Sequence, residues 1–305
     1  MTAANITGLE YVSVETKLLH NVIATTIACL GCITNISTIL AIIKTRLHRE
    51  AAMLLVLNLI VLNLIPCVFT LPYISYLSFT HSMVSEPVDN TVCKIMGFLT
   101  YCIVGTEVIG LILVSMNRYI LVVHFDKYEQ IYKRRCNLAI MLVMSWSIYP
   151  VILIFPALEV WGEFKYDPYR FFCHPFNKDS FGSFLILFTG GVSLPLLTVC
   201  YIGMIYKVWT SRFKVNASRS NQQSIEMSTT IRRYKQELHL VISVILILTT
   251  FAMLYIPFLV ISFLSKEDSI AEIISLYIAW THCVVNALVY SLRNTHILKV
   301  YCCRN

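Results

Sequence analysis

The sequence predicts an all-α membrane protein, a seven-transmembrane helix bundle with a short amphipathic C-terminal helix. Three observations carry this. The 305 residues are 57% hydrophobic and only 13% charged, with a mean hydropathy of +0.70, whereas soluble domains are about 25% charged. The apolar residues gather into seven stretches of roughly 20 or more, the length needed to cross about 30 Å of hydrocarbon as a helix. Between those stretches the basic residues alternate in density from one side to the other. With the N-terminus outside, 17 of the 24 Lys and Arg fall in the inner loops and tail, against Lys17, Lys94, Lys165, Arg170, Lys178 and Lys266 outside. That asymmetry predicts an N-out, C-in plasma-membrane protein. It also accounts for the net charge of +7 without a nucleic-acid partner.

The spans are expected at about 19–43, 52–78, 91–123, 137–158, 181–209, 236–264 and 270–292, all in a single domain covering 1–305. Each must be helical, because lipid offers no partner for unpaired backbone groups. Pro66, Pro72, Pro150, Pro156, Pro195 and Pro257 fall inside or at the ends of spans, where neighbouring helices tolerate kinks. Residues 1–18 are polar and lack the basic n-region of a signal peptide, so the first span is expected to act as signal anchor. Asn5 opens an N-glycosylation sequon on the outer side. Residues 216–230 are rich in Ser, Asn, Gln and Thr and read as an inner loop. Residues 293–305 read as a cytoplasmic helix and tail, in which Cys302 and Cys303 form a palmitoylation candidate or a pair of free thiols. Six cysteines lie within spans as small apolar fillers. Cys93 and Cys173 are the two on the oxidising side, so they are the available disulfide pair.

The motifs sit in a fixed order. The first span carries Gly31 and Asn35, and the second Asn58 and Asn63. The third starts at Cys93 and ends Asn117-Arg118-Tyr119. The fourth has Trp146, the sixth runs from Phe251 through Tyr255 to Pro257, and the seventh ends with Asn286, Ala287 and Tyr290. This set resembles the rhodopsin-like (class A) G-protein-coupled receptors over nearly the whole chain. The stretches Tyr128 to Arg134, Val160 to Pro168 and Phe172-Cys173 are most similar to the insect Moody and trapped-in-endoderm receptors and the related melatonin-receptor-like group. Against the family pattern, Asn117 stands where an acid usually precedes Arg118. Tyr255 stands for the usual Trp, Ala287 for the usual Pro, and Gly203 for an inner Tyr eight residues after Pro195.

The resemblance implies a switch made of Asn117, Arg118, Tyr119, Phe251, Tyr255, Pro257, Asn286 and Tyr290. Because position 117 lacks an acid, Glu237 near the inner end of the sixth span is the expected partner of Arg118. Such a pair, partly exposed, contributes about 1 kcal/mol, enough to bias a two-state bundle. Its rival is a solvated Glu among basic neighbours. Glu107, 11 residues before Arg118 on the same helical face and about 16 Å away, is a carboxylate at mid-membrane, where it must face the bundle. Most relatives carry that acid on the second span, at Asn63 here. Asn35, Asn63, Glu107 and Asn286 are therefore expected to cluster. Glu107 would be either ionised, holding Na⁺ with the Asn oxygens, or protonated and bonded to Asn63.

By matching family positions, the ligand lining is expected from Met96, Gly97, Thr100, Tyr101, Val104, Phe172, His174, Leu187, Phe258, Ser262, Leu276 and Trp280, with ordinary helix packing as the alternative for most of them. Thr100 in place of an Asp leaves an amine ligand without a counter-ion. A small neutral or lipid ligand suits the lining. A peptide remains open, because Glu159, Glu163, Asp167, Glu267, Asp268 and Glu272 make the outer surface acidic. The basic inner rim suits membrane lipids and a heterotrimeric G protein, guessed as Gi/o, with arrestin as a further partner. No cofactor is expected. The chain has no zinc helix, phosphate-binding glycine loop or Ser-His-Asp arrangement, so it is not read as an enzyme. The seventh span has no Lys for a retinal Schiff base. The rivals are a non-signalling or arrestin-biased scavenger-type receptor and, behind it, a transporter.

Overall fold

A computed structural model describes residues 13–80, 89–175, 180–220, 238, 242, 245–258, 260–261 and 270–301. Asn5, Glu237, Ser262, Glu267, Asp268, Cys302 and Cys303 lie outside the described residues. The helices are α1 (Val14–Lys44), α2 (Ala51–Val68), α3 (Thr70–Thr80), α4 (Asn90–Val123), α5 (Phe125–Tyr132), α6 (Arg135–Ala157), α7 (Ser180–Ser220), α8 (Ile245–Phe258), α9 (Ile270–Trp280), α10 (His282–Arg293) and α11 (Thr295–Tyr301). Among the described residues six stretches are long and apolar enough to cross a membrane, with α2–α3 and α9–α10 each counting as one. The shorter apolar helix α8 lies in the sixth span. Together they make a seven-helix membrane bundle, with α11 as the short C-terminal helix.

The second span divides at Phe69, whose backbone (φ −115, ψ −59) stays in the right-handed α region but is distorted from ideal helical values. Pro72 is the cause. It offers no N–H to the Val68 carbonyl four residues back, and its ring crowds that oxygen. The seventh span divides at Thr281, which returns its hydroxyl to the Ile278 carbonyl at 2.6 Å. Helix α7 runs past the expected end at 209 to Ser220, because no Gly or Pro lies between 211 and 220 to stop it. The expected loop therefore begins inside a helix. A two-stranded antiparallel hairpin, β1 (Lys165–Asp167) with β2 (Phe172–His174), joins α6 to α7 and pairs Tyr166 with Cys173.

Large apolar side chains such as Ile33, Val143, Leu187 and Met253 are exposed on the outside of the bundle, as a lipid-facing surface requires. The interior packs in layers. One apolar cluster around Leu55, Leu59, Leu62 and Leu111 fills the half nearer Arg118, and another around Ala24, Leu71, Phe171 and Tyr277 fills the half under the hairpin. Trp146 ties α6 to α2 by donating to Asn58 Oδ1 at 2.8 Å.

Helix α6 packs a ring directly on Gly105 of α4, where a Cβ would lie 2.0 Å from Tyr149 Cδ1. The Tyr149 ring has little room to retreat, because its hydroxyl is 2.7 Å from that of Thr189 on α7. Gly105→Ala is expected to destabilise the bundle by about 1–3 kcal/mol through overpacking, read as a lower melting temperature in detergent. An unchanged melt would show that the two helices do not meet there.

Candidate functional site

The mid-bundle site is built on α4 and α10. Glu107 is 1% exposed and His282 is fully buried. Glu107 Oε2 lies 2.8 Å from His282 Nε2, and Asn286 donates from Nδ2 to Glu107 Oε1 at 3.3 Å. His282 and Asn286 are four residues apart on α10, so both reach the same face. The other ring nitrogen of His282, Nδ1, donates to the Ala279 carbonyl at 2.7 Å, which fixes the imidazole plane.

The expected four-residue cluster is therefore only half formed. Glu107 and Asn286 meet. Asn63 is buried, but among the described residues its side chain has no hydrogen-bond partner, Glu107 included. Asn35 donates to the carbonyls of Gly31 and Cys283, both at 2.8 Å, and so clamps α1 to α10. The expected Glu107–Asn63 bond is replaced by one to His282, because the imidazole enters from α10 and takes one carboxylate oxygen while Asn286 takes the other. In the sequence His282 is a mid-span histidine one turn before Asn286, a spacing that places both on one face.

From this centre, contacts run both ways. Tyr255 stacks on Phe251, with ring centroids 4.2 Å apart, and lies 5.1 Å from the His282 ring. Pro257 follows on the same helix. In the other direction Tyr290, one turn beyond Asn286, is buried and within electrostatic reach of Arg118. Tyr128 and Glu50 are also near Arg118. Among the described residues no carboxylate forms an ion pair with Arg118. Asn117 is buried and faces Tyr132. Tyr119 turns its hydroxyl to His124 Nε2 at 3.3 Å, and its ring covers Gly203 of α7, where a Cβ would lie 2.4 Å from Tyr119 Cε2.

At the other end, Cys93 and Cys173 form a disulfide with Cα atoms 5.4 Å apart, which anchors β2 to α4. Gly97 permits the approach, since a Cβ there would sit 2.7 Å from the Cys173 carbonyl oxygen. Phe171 and Phe172 enter the outer apolar cluster with Tyr277 and Trp280, and Tyr101, Val104 and Leu276 pack against it. The Thr100 hydroxyl is 2.8 Å from that of Thr70. Phe258 is half-buried at the end of α8. Leu187 departs from the expected lining. It is 72% exposed on the outer face of α7, because its position on the turn directs it to lipid.

Among the described residues the expected acidic side chains are paired. Lys94 bonds Glu159 and Lys165 bonds Glu163. Arg170 bridges Asp167 of the hairpin and the buried Glu272 of α9, and His174 Nε2 is 3.2 Å from Asp167 Oδ2. This cluster fastens the hairpin to the seventh span. Burial alone would push the Asp167 carboxyl up. The His174 hydrogen bond, the Arg170 charge and the Tyr169 N–H overcome it and hold the group at about 2. A depressed carboxylate contributes stability above its ordinary value near 4 and loses it as pH falls through the folded value. The hairpin should therefore stay docked from pH 7 to about 4 and loosen towards pH 2, losing about 2 kcal/mol. Faster amide exchange at Tyr169 and Arg170 near pH 2 would report it, and equal exchange at pH 4 and pH 2 would contradict it.

A helical bundle with an arginine at one end, a disulfide-tethered hairpin at the other and a polar centre between them defines a seven-transmembrane receptor. The chain belongs to the rhodopsin family of seven-transmembrane receptors, whose model matches residues 34–290. Protein trapped in endoderm-1 of Drosophila melanogaster is 26% identical over 291 residues, covering 89% of this chain and 73% of that one. Melatonin receptor type 1B-B of Danio rerio is 24% identical over 283 residues, covering 88% and 76%. The G-protein coupled receptor moody of Drosophila melanogaster is 25% identical over 65% of this chain, which spans only 30% of moody's length. Squid rhodopsin superposes with a TM-score of 0.78 at 16% identity, over 94% of this chain and 81% of the rhodopsin chain, and attests the fold.

Proposed function

We propose that this receptor sits in the plasma membrane with its N-terminus outside. It takes a small or lipid-like ligand under the hairpin and signals to a heterotrimeric G protein of the Gi/o class by outward movement of the sixth span. The observation that carries the reading is the line of contacts at the centre of the bundle, from Phe251 and Tyr255 to His282 and then Glu107 and Asn286, with Tyr290 one turn further on and within electrostatic reach of Arg118. A ligand that shifts Tyr255 changes the contacts of His282, and an equilibrium moves only as far as a ligand's differential affinity allows. Relatives named for melatonin support a small ligand, and the pairing of Asp167, Glu159 and Glu272 disfavours a cationic peptide. Glu237 is the proposed restraint on Arg118. Asn5 is the proposed glycosylation site, and Cys302 and Cys303 are proposed palmitoylation sites. Arrestin is a further proposed partner.

The test is nucleotide exchange on a panel of G proteins in membranes, comparing wild type with Arg118→Ala. Basal exchange in wild type that falls at least about tenfold in Arg118→Ala is expected, equivalent to about 1.4 kcal/mol in the barrier to exchange. No exchange with any G protein, with or without candidate ligands, would favour a non-signalling or arrestin-biased scavenger-type receptor, which the substitutions Asn117, Tyr255 and Ala287 at switch positions make the strongest rival.

A further inference from the structure

The hydrogen bonds around His282 require a proton whose place matters. Nδ1 lies 2.7 Å from a backbone carbonyl, which only accepts, so Nδ1 carries its hydrogen. Nε2 lies 2.8 Å from Glu107 Oε2. A bare ring nitrogen and a bare carboxylate oxygen are both acceptors and do not approach to that distance, so a second proton lies between them. Imidazolium with carboxylate and imidazole with carboxylic acid are then two drawings of one net-neutral unit. The remaining carboxylate oxygen, Oε1, accepts from Asn286.

The surroundings suit a neutral unit. Phe251 and Tyr255 face it from α8 and Trp280 from α9. Cys283 adjoins it on α10, with Cys67 of α2 behind. Among the described residues none of these groups carries a fixed charge. A sodium ion, considered for Glu107 on the sequence alone, does not fit this arrangement. Both carboxylate oxygens are engaged by donors, and one of those donors is a protonated ring that repels a cation. The oxygens of Asn35, Asn63 and Asn286 are buried without a hydrogen-bond partner among the described residues, but these are neutral amides, and with both carboxylate oxygens engaged they leave a cation's charge uncompensated.

We propose that His282, with its proton, is the resident cation partner of Glu107, so that this core binds a proton in place of a sodium ion and its resting state is indifferent to sodium. The consequence for signalling rests on the receptor reading, but the binding claim does not. The whole chain in lipid nanodiscs is melted in sodium chloride and in choline chloride at equal ionic strength. Wild type is expected to melt at the same temperature in both. His282→Asn removes the proton-bearing ring and leaves an oxygen-rich carboxylate site, so sodium at ten times its dissociation constant should raise its melting temperature by about 3 °C. Glu107→Gln/His282→Asn should lose that response. A sodium-stabilised wild type overturns the proposal, and so does a folded His282→Asn that ignores sodium. If His282→Asn does not fold, His282→Gln is the second variant. If neither folds, the wild-type comparison decides alone, with insensitivity supporting the proposal. The readout needs no ligand and no G protein. A receptor silent in nucleotide exchange would sink the receptor reading and leave this one standing, and a sodium-stabilised wild type would do the reverse.

Discussion

Glu107→Ala is expected to be the most damaging single substitution in the bundle, costing about 3–5 kcal/mol. The side chains of the pair are 2% and 0% exposed, so Nε2 of His282 would be left buried with only the long contacts to the Tyr255 hydroxyl at 3.5 Å and the Cys283 sulfur at 3.4 Å in place of a carboxylate. Asn286 would lose its acceptor as well. The penalty comes from the orphaned partners more than from the lost attraction, because a buried pair contributes little net and its broken half costs much. Glu107→Gln should therefore cost far less, since an amide still offers Asn286 an acceptor and His282 a partner. For a bundle of this size the alanine variant should melt lower by roughly 10 °C. A loss of only a degree, or equal losses for Ala and Gln, would mean that water reaches His282 and that the site is not dry.

Removing the disulfide should come next. Cys93 and Cys173 are 80 residues apart, and a cross-link closing such a loop stabilises by up to about 4 kcal/mol through the unfolded chain's entropy. The helices between them stay formed in a membrane-bound unfolded state, so about 2–3 kcal/mol is the expected loss in Cys173→Ser. Cys93→Ser and the double variant should match it, because the three share one missing bond. The loss should concentrate in the hairpin, whose remaining anchors are Phe171 and Phe172 in the outer cluster and Arg170 on Glu272. Amide exchange at β1 and β2 should quicken while α2 and α4 stay protected. Uniform acceleration across the bundle would place the effect in global unfolding.

What was legible in the sequence follows from how strongly each environment constrains its residues. Spans were legible because lipid permits few alternatives to an apolar helix, and the start of α4 falls within a residue of expectation. Glu107 stood out because a carboxylate amid apolar residues is rare, and the same reasoning brought Asn286 to it. His282 did not stand out, since an uncharged histidine is an ordinary interior residue and only its distance to Glu107 makes it a partner. The break at Phe69 could be read from Pro72 but not dated to one residue. The hairpin could not be read at all, because three-residue strands are too short for any periodicity. Acidity at the hairpin end was visible, yet its neutralisation depends on Arg170 reaching across 102 positions to Glu272, which composition does not encode. Leu187 failed because a family position fixes the helix but not which way a residue on it faces.

The contact between Tyr119 and Gly203 has a consequence for chimaeras. The family-typical arrangement puts an inner tyrosine on the fifth span, at Gly203 here, while in this chain a ring from the third span already occupies that volume. A tyrosine grafted at 203 alone meets an occupied space, and a smaller residue at 119 alone leaves a void. A hybrid receptor should carry both segments from the same parent.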